Sequence, residues 1–482
     1  MRELDPTSAA GLWPDSTKPL ELACKRLHFV GIGGCGMSGL ARMAAKQGAN
    51  CSGTDMNQSQ TVATLREAGI DVSLDQSGAA LPGAEELDML VISAAIKPTH
   101  PEVVEATRRG AQVVKYAQLL GRLMVGRVGV AIAGTHGKST TTSILSHILI
   151  QTGLDPSFIV GAHCEQIGGG VRVSEKRGPD EVLVAEACEY DRSFHNFYPT
   201  HATILNVEAD HLDLYCSIDE IVEAFKVFAK RVPPEGSILI QHESPHRLEI
   251  CSGINADVET VGFMPQADWR VGVRMGNVRL HYKDKPVCEW ANPMPGDHFA
   301  YNAAVAAITA RRLGAPWDGI GKAIAGFAGL DRRMQTLGQR SIPGGSVTVI
   351  DDYGHHPTEI DTTLRALAQH HDPKRLICVF QPHQHSRTRH LMEQFATSFS
   401  EADIVIVPEI YFVRDSEQER QAVTSGHLVD RLRKQGVTAM HLHPFEAIVE
   451  QLELITQPGD LVVTMGAGDV WKIGKAYLGE AI

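Results

Sequence analysis

Residues 128–143, VGVAIAGTHGKSTTTS, carry the densest chemistry in the chain. Residues 128–133 are small and apolar, as in a buried strand, and Gly134-Thr135-His136-Gly137 is a tight glycine-flanked turn. Lys138, Ser139 and Thr140 then open a segment that places Ile144, Leu145, Ile148 and Leu149 on one helical face. Strand, glycine loop and helix together make a phosphate cradle. Backbone N–H groups at the helix start point at anionic oxygens, Lys138 adds a point charge, and the Ser139 hydroxyl can ligate Mg²⁺. The pattern G-x-x-x-x-G-K-[ST] is met in part, because Ile132 stands where its first glycine belongs.

Three other groups of residues could do chemistry. Gly31-Ile-Gly33-Gly-Cys-Gly36 follows the apolar run 27–30, with Asp55 24 residues after Gly31, so this G-x-G-x-x-G loop can hold a diphosphate. Taken alone it suggests a dinucleotide and an NAD-dependent oxidoreductase. Glu186 ends the apolar run 181–186, with Glu189 as its rival, and Glu208-Ala-Asp210-His211-Leu-Asp213 follows the run 202–207. Carboxylates at strand ends beside a phosphate loop suit Mg²⁺, and by chemistry alone Asp210 and Asp213 are its hard oxygen ligands. DDYGHHPTEI and FQPHQHSRTRHL concentrate histidine and arginine in two loops near 351 and 381. They lack the i, i+4 or C-x-x-C support of a usual zinc site.

These loops need strands to end them and helices to follow them, and the chain supplies both repeatedly. Strand–loop–helix units at 27–44, 91–103, 128–150, 347–358, 376–395 and 461 onward predict α/β architecture with functional loops at the carboxyl ends of parallel strands. A length of 482 residues allows about three domains. Hydrophobic content of 43% with 21% charged residues describes a globular protein, and no apolar run is long enough to span a bilayer. The first 23 residues lack a charged-then-apolar signal pattern and read as a loose polar tail. Nine cysteines without a C-x-x-C pair suit a reducing cytoplasm. A net charge of −12 argues against broad nucleic-acid binding and leaves any anionic substrate to a few local cations.

HFVGIGGCGMSGLARM, ISAAIKPTHPEV and AGTHGKSTTTS, in that order, resemble the Mur ligase family, and the likeness extends over nearly the whole chain after the tail. It implies three α/β domains: an N-terminal Rossmann-like domain (24–124) that binds UDP, a central P-loop-type ATPase domain (125–330) and a C-terminal Rossmann-like domain (331–482). It further implies ATP-dependent ligation of L-alanine to the lactyl carboxylate of UDP-N-acetylmuramate through an acyl phosphate, or of a recycled tripeptide to the same nucleotide. The ion would be Mg²⁺, with Mn²⁺ as the alternative, and the enzyme a cytoplasmic monomer or homodimer that binds neither membrane nor nucleic acid.

Carried over by matching motif, the resemblance places Gly31, Gly33, Gly36 and Ser38 at UDP. It puts Gly134 through Thr140, Asn302, Arg333 and Asp351 at ATP, leaving Arg332 as a surface charge. Ser139, Glu186 and His211 become the metal ligands, with Asp210 in support, which reverses the ranking by chemistry alone. Tyr353, His355, His383 and Arg387 fall on the amino-acid side, and Lys138, His211 and Arg387 are the expected catalytic groups. Lys226 reads plainly as an exposed helical lysine. The chain departs from the family's usual H-R-Y-T-R-T-R, with Gln384 and His385 in place of arginine and tyrosine, and Phe299 replaces a common asparagine. The loss of one cation leaves Arg387 to hold the amino acid's carboxylate largely alone, assisted by His383 or His385.

Overall fold

Short Val/Ile/Leu runs, each closed by a glycine or polar loop and followed by a helix, build three sheets. The computed structural model describes residues 18–480 except 84, 85, 213 and 414. Most of the expected N-terminal tail, and the candidate ligand Asp213, therefore lie outside the described residues.

The first sheet contains β1 (Arg26–Val30), β2 (Asn50–Thr54), β3 (Asp71–Ser73), β4 (Met89–Ile92) and β5 (Gln112–Lys115), all parallel, in the order β3-β2-β1-β4-β5. Strand order reverses at β1, and the glycine loop leaves there to start the helix Cys35–Lys46, as a doubly wound sheet requires. His100 caps the helix Pro101–Arg108, with proline in its first turn.

The second sheet has ten strands: β6 (Val128–Ala133), β7 (Ser157–Ile159), β8 (Val171–Arg172), β9 (Val182–Ala187), β10 (His201–Ile204), β11 (Ser237–Gln241), β12 (Asp257–Gly262), β13 (Trp269–Arg274), β14 (Asn277–Tyr282) and β15 (Lys285–Ala291). Their order is β15-β14-β13-β12-β11-β10-β6-β9-β7-β8, with β8 and the β13–β14–β15 meander antiparallel at the two edges. The phosphate-loop strand β6 is central, flanked by β9 and β10. Its helix, Lys138–Gln151, buries Ile144, Leu145, Ile148 and Leu149 completely and packs against the helix Asp297–Arg312. Residues of the first and second sheets share one continuous core, in which Leu40 and Leu120 join Ile204 and Phe225.

The third sheet contains β16 (Gln335–Ile342), β17 (Gly345–Asp352), β18 (Leu376–Phe380), β19 (Ile404–Val407), β20 (Thr438–His441) and β21 (Leu461–Met465), ordered β16-β17-β21-β18-β19-β20. All are parallel except β16, which closes an antiparallel hairpin on β17. The three strands expected here from sequence form its centre, β17-β21-β18. Leu212 and Met294, from loops of the central domain, pack against its core.

Candidate functional site

The phosphate loop is held by the strand beside it. Thr135 N–H donates to Asn206 O at 3.1 Å and His136 N–H to Asn206 Oδ1 at 2.8 Å, while Asn206 Nδ2 returns a bond to His136 O at 3.2 Å. The helix's first backbone bond runs from Thr141 N to Gly137 O, so the amides of Lys138, Ser139 and Thr140 precede it and face the loop's mouth. Gly137 adopts φ +82°, and a Cβ there would stand 2.6 Å from Asn302 Oδ1, so no other residue fits. Lys138 is not a loose surface charge. Its Nζ donates to the carbonyls of Gly134 and Thr135 and pairs with Glu189 Oε2 at 3.0 Å. Burial opposes that charge, yet Glu189 outweighs it and raises the lysine's pKa.

Glu186 lies one strand over, opposite Ile132 of β6, and His211 follows the neighbouring β10. Ser139 Oγ donates to Glu186 Oε2 at 3.2 Å, and Gly161 N–H donates to Glu186 Oε1 at 2.6 Å. Burial lifts the Glu186 carboxyl above its usual range despite that amide and Lys138. His211 sits at φ +52°, its Nε2 3.7 Å from Glu189 and 3.8 Å from Asp210, and its buried Nδ1 has no hydrogen-bond partner. A hydroxyl, a carboxylate and an imidazole with an unpartnered nitrogen, all lining one cavity, are donor types that a divalent cation takes.

A cavity of about 680 Å³ runs between the central and C-terminal sheets. It is lined by the phosphate loop, Glu186, Asp210 and His211 on one side, and by Arg333, Asp351, Tyr353, His355, His383 and Arg387 on the other. A mostly apolar annex of about 300 Å³ opens beside it, with Thr140, His298, Phe299, Asn302 and Met334 in its wall. Arg387 spans the two domains. Its Nε and Nη2 donate to Asp210 Oδ1 at 3.0 and 2.9 Å, and Nη1 donates to His383 Nδ1 at 3.2 Å. An arginine can only donate, so His383 Nδ1 is the acceptor of this bond. Burial pushes the His355 pKa down to about 4, leaving a neutral ring edge-on to Tyr353 and His383.

A second crossing joins His136 to the helix Pro357–His371 of the C-terminal domain. His136 Nδ1 lies 3.2 Å from Glu359 and its Nε2 3.6 Å from Glu208, with the His356 ring 4.7 Å away. Thr358 Oγ1 donates to Glu208 at 2.6 Å. Glu359 also caps its own helix by accepting from the amides of His355 and His356.

The first glycine loop reaches the same cleft by a third route. Cys35 Sγ donates to Val160 O at 3.1 Å, the next residue's amide holds Glu186, and His163 Nδ1 meets Asp331 at 3.0 Å. The 160–163 loop therefore touches all three domains. Asp55 accepts from Gly33 N–H at 2.9 Å, so the acidic residue fastens the glycine loop itself. Ser38 is buried and donates to Cys35 O, turned into its own helix, while Gly36 leaves room for the Tyr116 ring.

Three family models match in succession: the Mur ligase family catalytic domain over residues 26–127, the Mur ligase middle domain over 132–310, and the Mur ligase glutamate ligase domain over 332–468. The chain belongs to the Mur ligase family. A UDP-N-acetylmuramate–L-alanine ligase of Caldanaerobacter subterraneus is 38% identical over 95% of this chain and 98% of its own length. The enzyme of that name from Geobacter sulfurreducens is 37% identical over 95% and 97%. Among solved structures, the UDP-N-acetylmuramate–alanine ligase of Thermotoga maritima shares the fold at TM-score 0.73 and 23% identity, covering 94% of this chain and 98% of that one.

Within this Mur ligase the cavity gathers Thr135 to Ser139, Glu186, His211, Arg333, Asp351, Tyr353, His355, His383 and Arg387. Thr140 and Asn302 line the annex, and Gly31, Gly33, Gly36 and Ser38 line neither space. Arg332 is corrected: it is no surface charge, because its Nε donates to Asp351 at 3.0 Å and its Nη2 to Gly466 O at 2.6 Å. His385 does not line the cavity, since Asp415 holds its amide and faces its ring at 3.5 Å. Lys226 is half-buried on the helix Ile218–Ala229 and lines neither space. Sequence reasoning passed over Asn206 and Glu359. The signal for Glu359 was its place three residues after His356, where a capping-box carboxylate belongs.

Proposed function

We propose that this Mur ligase is a UDP-N-acetylmuramate–L-alanine ligase, forming the amide between L-alanine and the lactyl carboxylate of the sugar nucleotide with ATP. The supporting observation is the convergence in one interdomain cleft of a phosphate loop, a half-buried hydroxyl, carboxylate and imidazole, and two histidine/arginine loops. Relatives carrying the alanine-ligase name, at 38% identity over 94–95% of the chain, favour alanine over the tripeptide. The enzyme acts in the cytoplasm, as a monomer or homodimer, with domain divisions near residues 124 and 330. No helix among the described residues is long and apolar enough to cross a membrane.

In this reading adenine enters the apolar annex beside Asn302, and Arg333 and Asp351 contact the rest of the nucleotide. Lys138 and the amides of Lys138, Ser139 and Thr140 neutralise charge on the transferred phosphoryl group, so catalysis is mainly positioning and electrostatics. Ser139, Glu186 and His211 would hold Mg²⁺ or Mn²⁺, with Asp210 in support; the ion supplies charge neutralisation between the two anionic reactants. Gly31, Gly33, Gly36 and Ser38 take the UDP end, at the far side of the 160–163 loop. The lactyl carboxylate takes the γ-phosphoryl group from ATP with ADP leaving, the neutral amine of alanine attacks the resulting acyl phosphate, and phosphate leaves as the nitrogen gives up a proton. Tyr353, His355, His383 and Arg387 orient the amino acid, and apposition of the C-terminal domain excludes water that would hydrolyse the acyl phosphate.

Phosphate release measured with UDP-N-acetylmuramate and, in turn, L-alanine, glycine, L-serine and the stem tripeptide tests this assignment. L-alanine should give the highest kcat/KM, and a tripeptide preference would reassign the enzyme to peptide recycling.

A further inference from the structure

A second cluster of metal-ligand type lies away from the catalytic cleft, at the carboxyl ends of β19 and β20. Glu409 follows β19, His441 is the last residue of β20, and His443 stands two residues on. Glu409 Oε1 is 3.3 Å from His441 Nε2 and 3.7 Å from His443 Nε2, and the three ligand atoms all lie within 4.8 Å of one another. Two ligands each about 2.0–2.1 Å from a tetrahedral Zn²⁺ stand about 3.3–3.4 Å apart, so the two distances from Glu409 need little adjustment. His441 Nε2 is itself buried and makes no hydrogen bond, although it faces the carboxylate. The His443 and Glu409 side chains are 60% exposed, which leaves an open side for water to complete the coordination.

We infer that Glu409, His441 and His443 form a binding site for a borderline transition-metal cation such as Zn²⁺, separate from the nucleotide-linked divalent ion. Two imidazoles and one carboxylate select Zn²⁺ over Mg²⁺, which requires oxygen ligands and octahedral geometry. The site clips the loop after β19 to the end of β20. That loop matters, because Gln381 Nε2 donates to Glu409 O at 3.3 Å and Tyr411 stacks on His383 at 5.6 Å. Tyr411 also exchanges backbone bonds with Pro382 and Gln384. A bound cation would therefore fix the support behind the cleft's His383 without touching the reacting atoms.

The test is calorimetric titration of Zn²⁺ into the full-length enzyme held in excess Mg²⁺, compared with Glu409→Gln and with the double variant His441→Ala/His443→Ala. The wild type should bind one more equivalent of Zn²⁺ than the double variant. Glu409→Gln should weaken that equivalent by about 100-fold or more, at least the upper end of what losing an outer-shell partner costs. Co²⁺ in place of Zn²⁺ should give the visible absorption of a tetrahedral site in the wild type alone. Equal stoichiometry and affinity in wild type and variants would overturn the inference. Should the double variant fail to fold in chelator, His443→Gln, at an exposed position, gives the same comparison.

Discussion

At the residue scale, two cations are bound to carboxylates in ways that their types alone do not reveal. Lys138 neutralises Glu189, whose side chain is only 4% exposed. Lys138→Ala should lower phosphate release by on the order of 100-fold, as for loss of an electrostatic stabiliser. It should also destabilise the fold by roughly 3 kcal/mol, because a buried carboxylate loses the cation hydrogen-bonded to it. The double variant Lys138→Met/Glu189→Gln should recover the melting temperature and not the activity, which separates the two effects. Arg387 spends two donor groups on Asp210, and Asp210 is held well below the usual carboxylate range: burial works against its charge, and Arg387 more than offsets it. Arg387→Ala should raise the KM for L-alanine about 10-fold or more and leave that for ATP nearly unchanged, since a charge-assisted bond is worth roughly 1.5–3 kcal/mol. An unaltered alanine KM would move carboxylate recognition elsewhere in the cleft.

At the scale of elements, the candidate metal ligands come from three places that the fold brings to the carboxyl ends of neighbouring central strands. Ser139 starts the helix after β6, Glu186 is in β9, and His211 follows β10. Because β6 lies between β9 and β10, all three emerge at the same strand ends. Glu186→Ala and His211→Ala should each raise the Mg²⁺ concentration for half-maximal rate, and the double variant should lose less than the two losses combined. Strictly additive losses would separate the side chains into different sites. The 160–163 loop extends the same logic, since Gly161 orients Glu186 while Val160 accepts from Cys35.

At the scale of the whole molecule, the C-terminal domain is held against the phosphate loop by half-buried ionic contacts. Burial opposes charge on His136, but Glu359 and Glu208 outweigh it and raise its pKa from 6.5 to about 10. A raised pKa of this kind stabilises the folded assembly fully below pH 6.5 and is lost as pH rises through about 10. Glu208 behaves oppositely: burial pushes its pKa up, His136 pulls it down to about 2, and its contribution is present above 4.5 and lost as pH falls through about 2. The contact is therefore at full strength between about 4.5 and 6.5. The melting temperature of the wild type should fall more steeply between pH 6.5 and 10 than that of His136→Gln. Parallel profiles would show that the pair carries no pH-linked stability.

The sequence by itself determined the local units. A buried apolar run, a glycine loop and a helix at 128–150 are dictated by side-chain size, backbone freedom and period, and the same reasoning found β1, β17, β18 and β21. It left β11 and β19 unnamed although both are apolar and buried, and it missed the β13–β14–β15 meander and the edge strands β16 and β20, which are half-exposed and lack the solid apolar runs of buried parallel strands. Residue type also limited the chemistry to phosphate, divalent ion and anionic substrate. Partners across the domains were decided only by the tertiary structure. Arg387 and Asp210 are 177 residues apart, and His136 meets Glu359 across a domain boundary. Arg332 looked like surface charge until the fold brought Asp351 against it. Such pairings depend on how three sheets are placed relative to one another, and no local period or spacing encodes that placement.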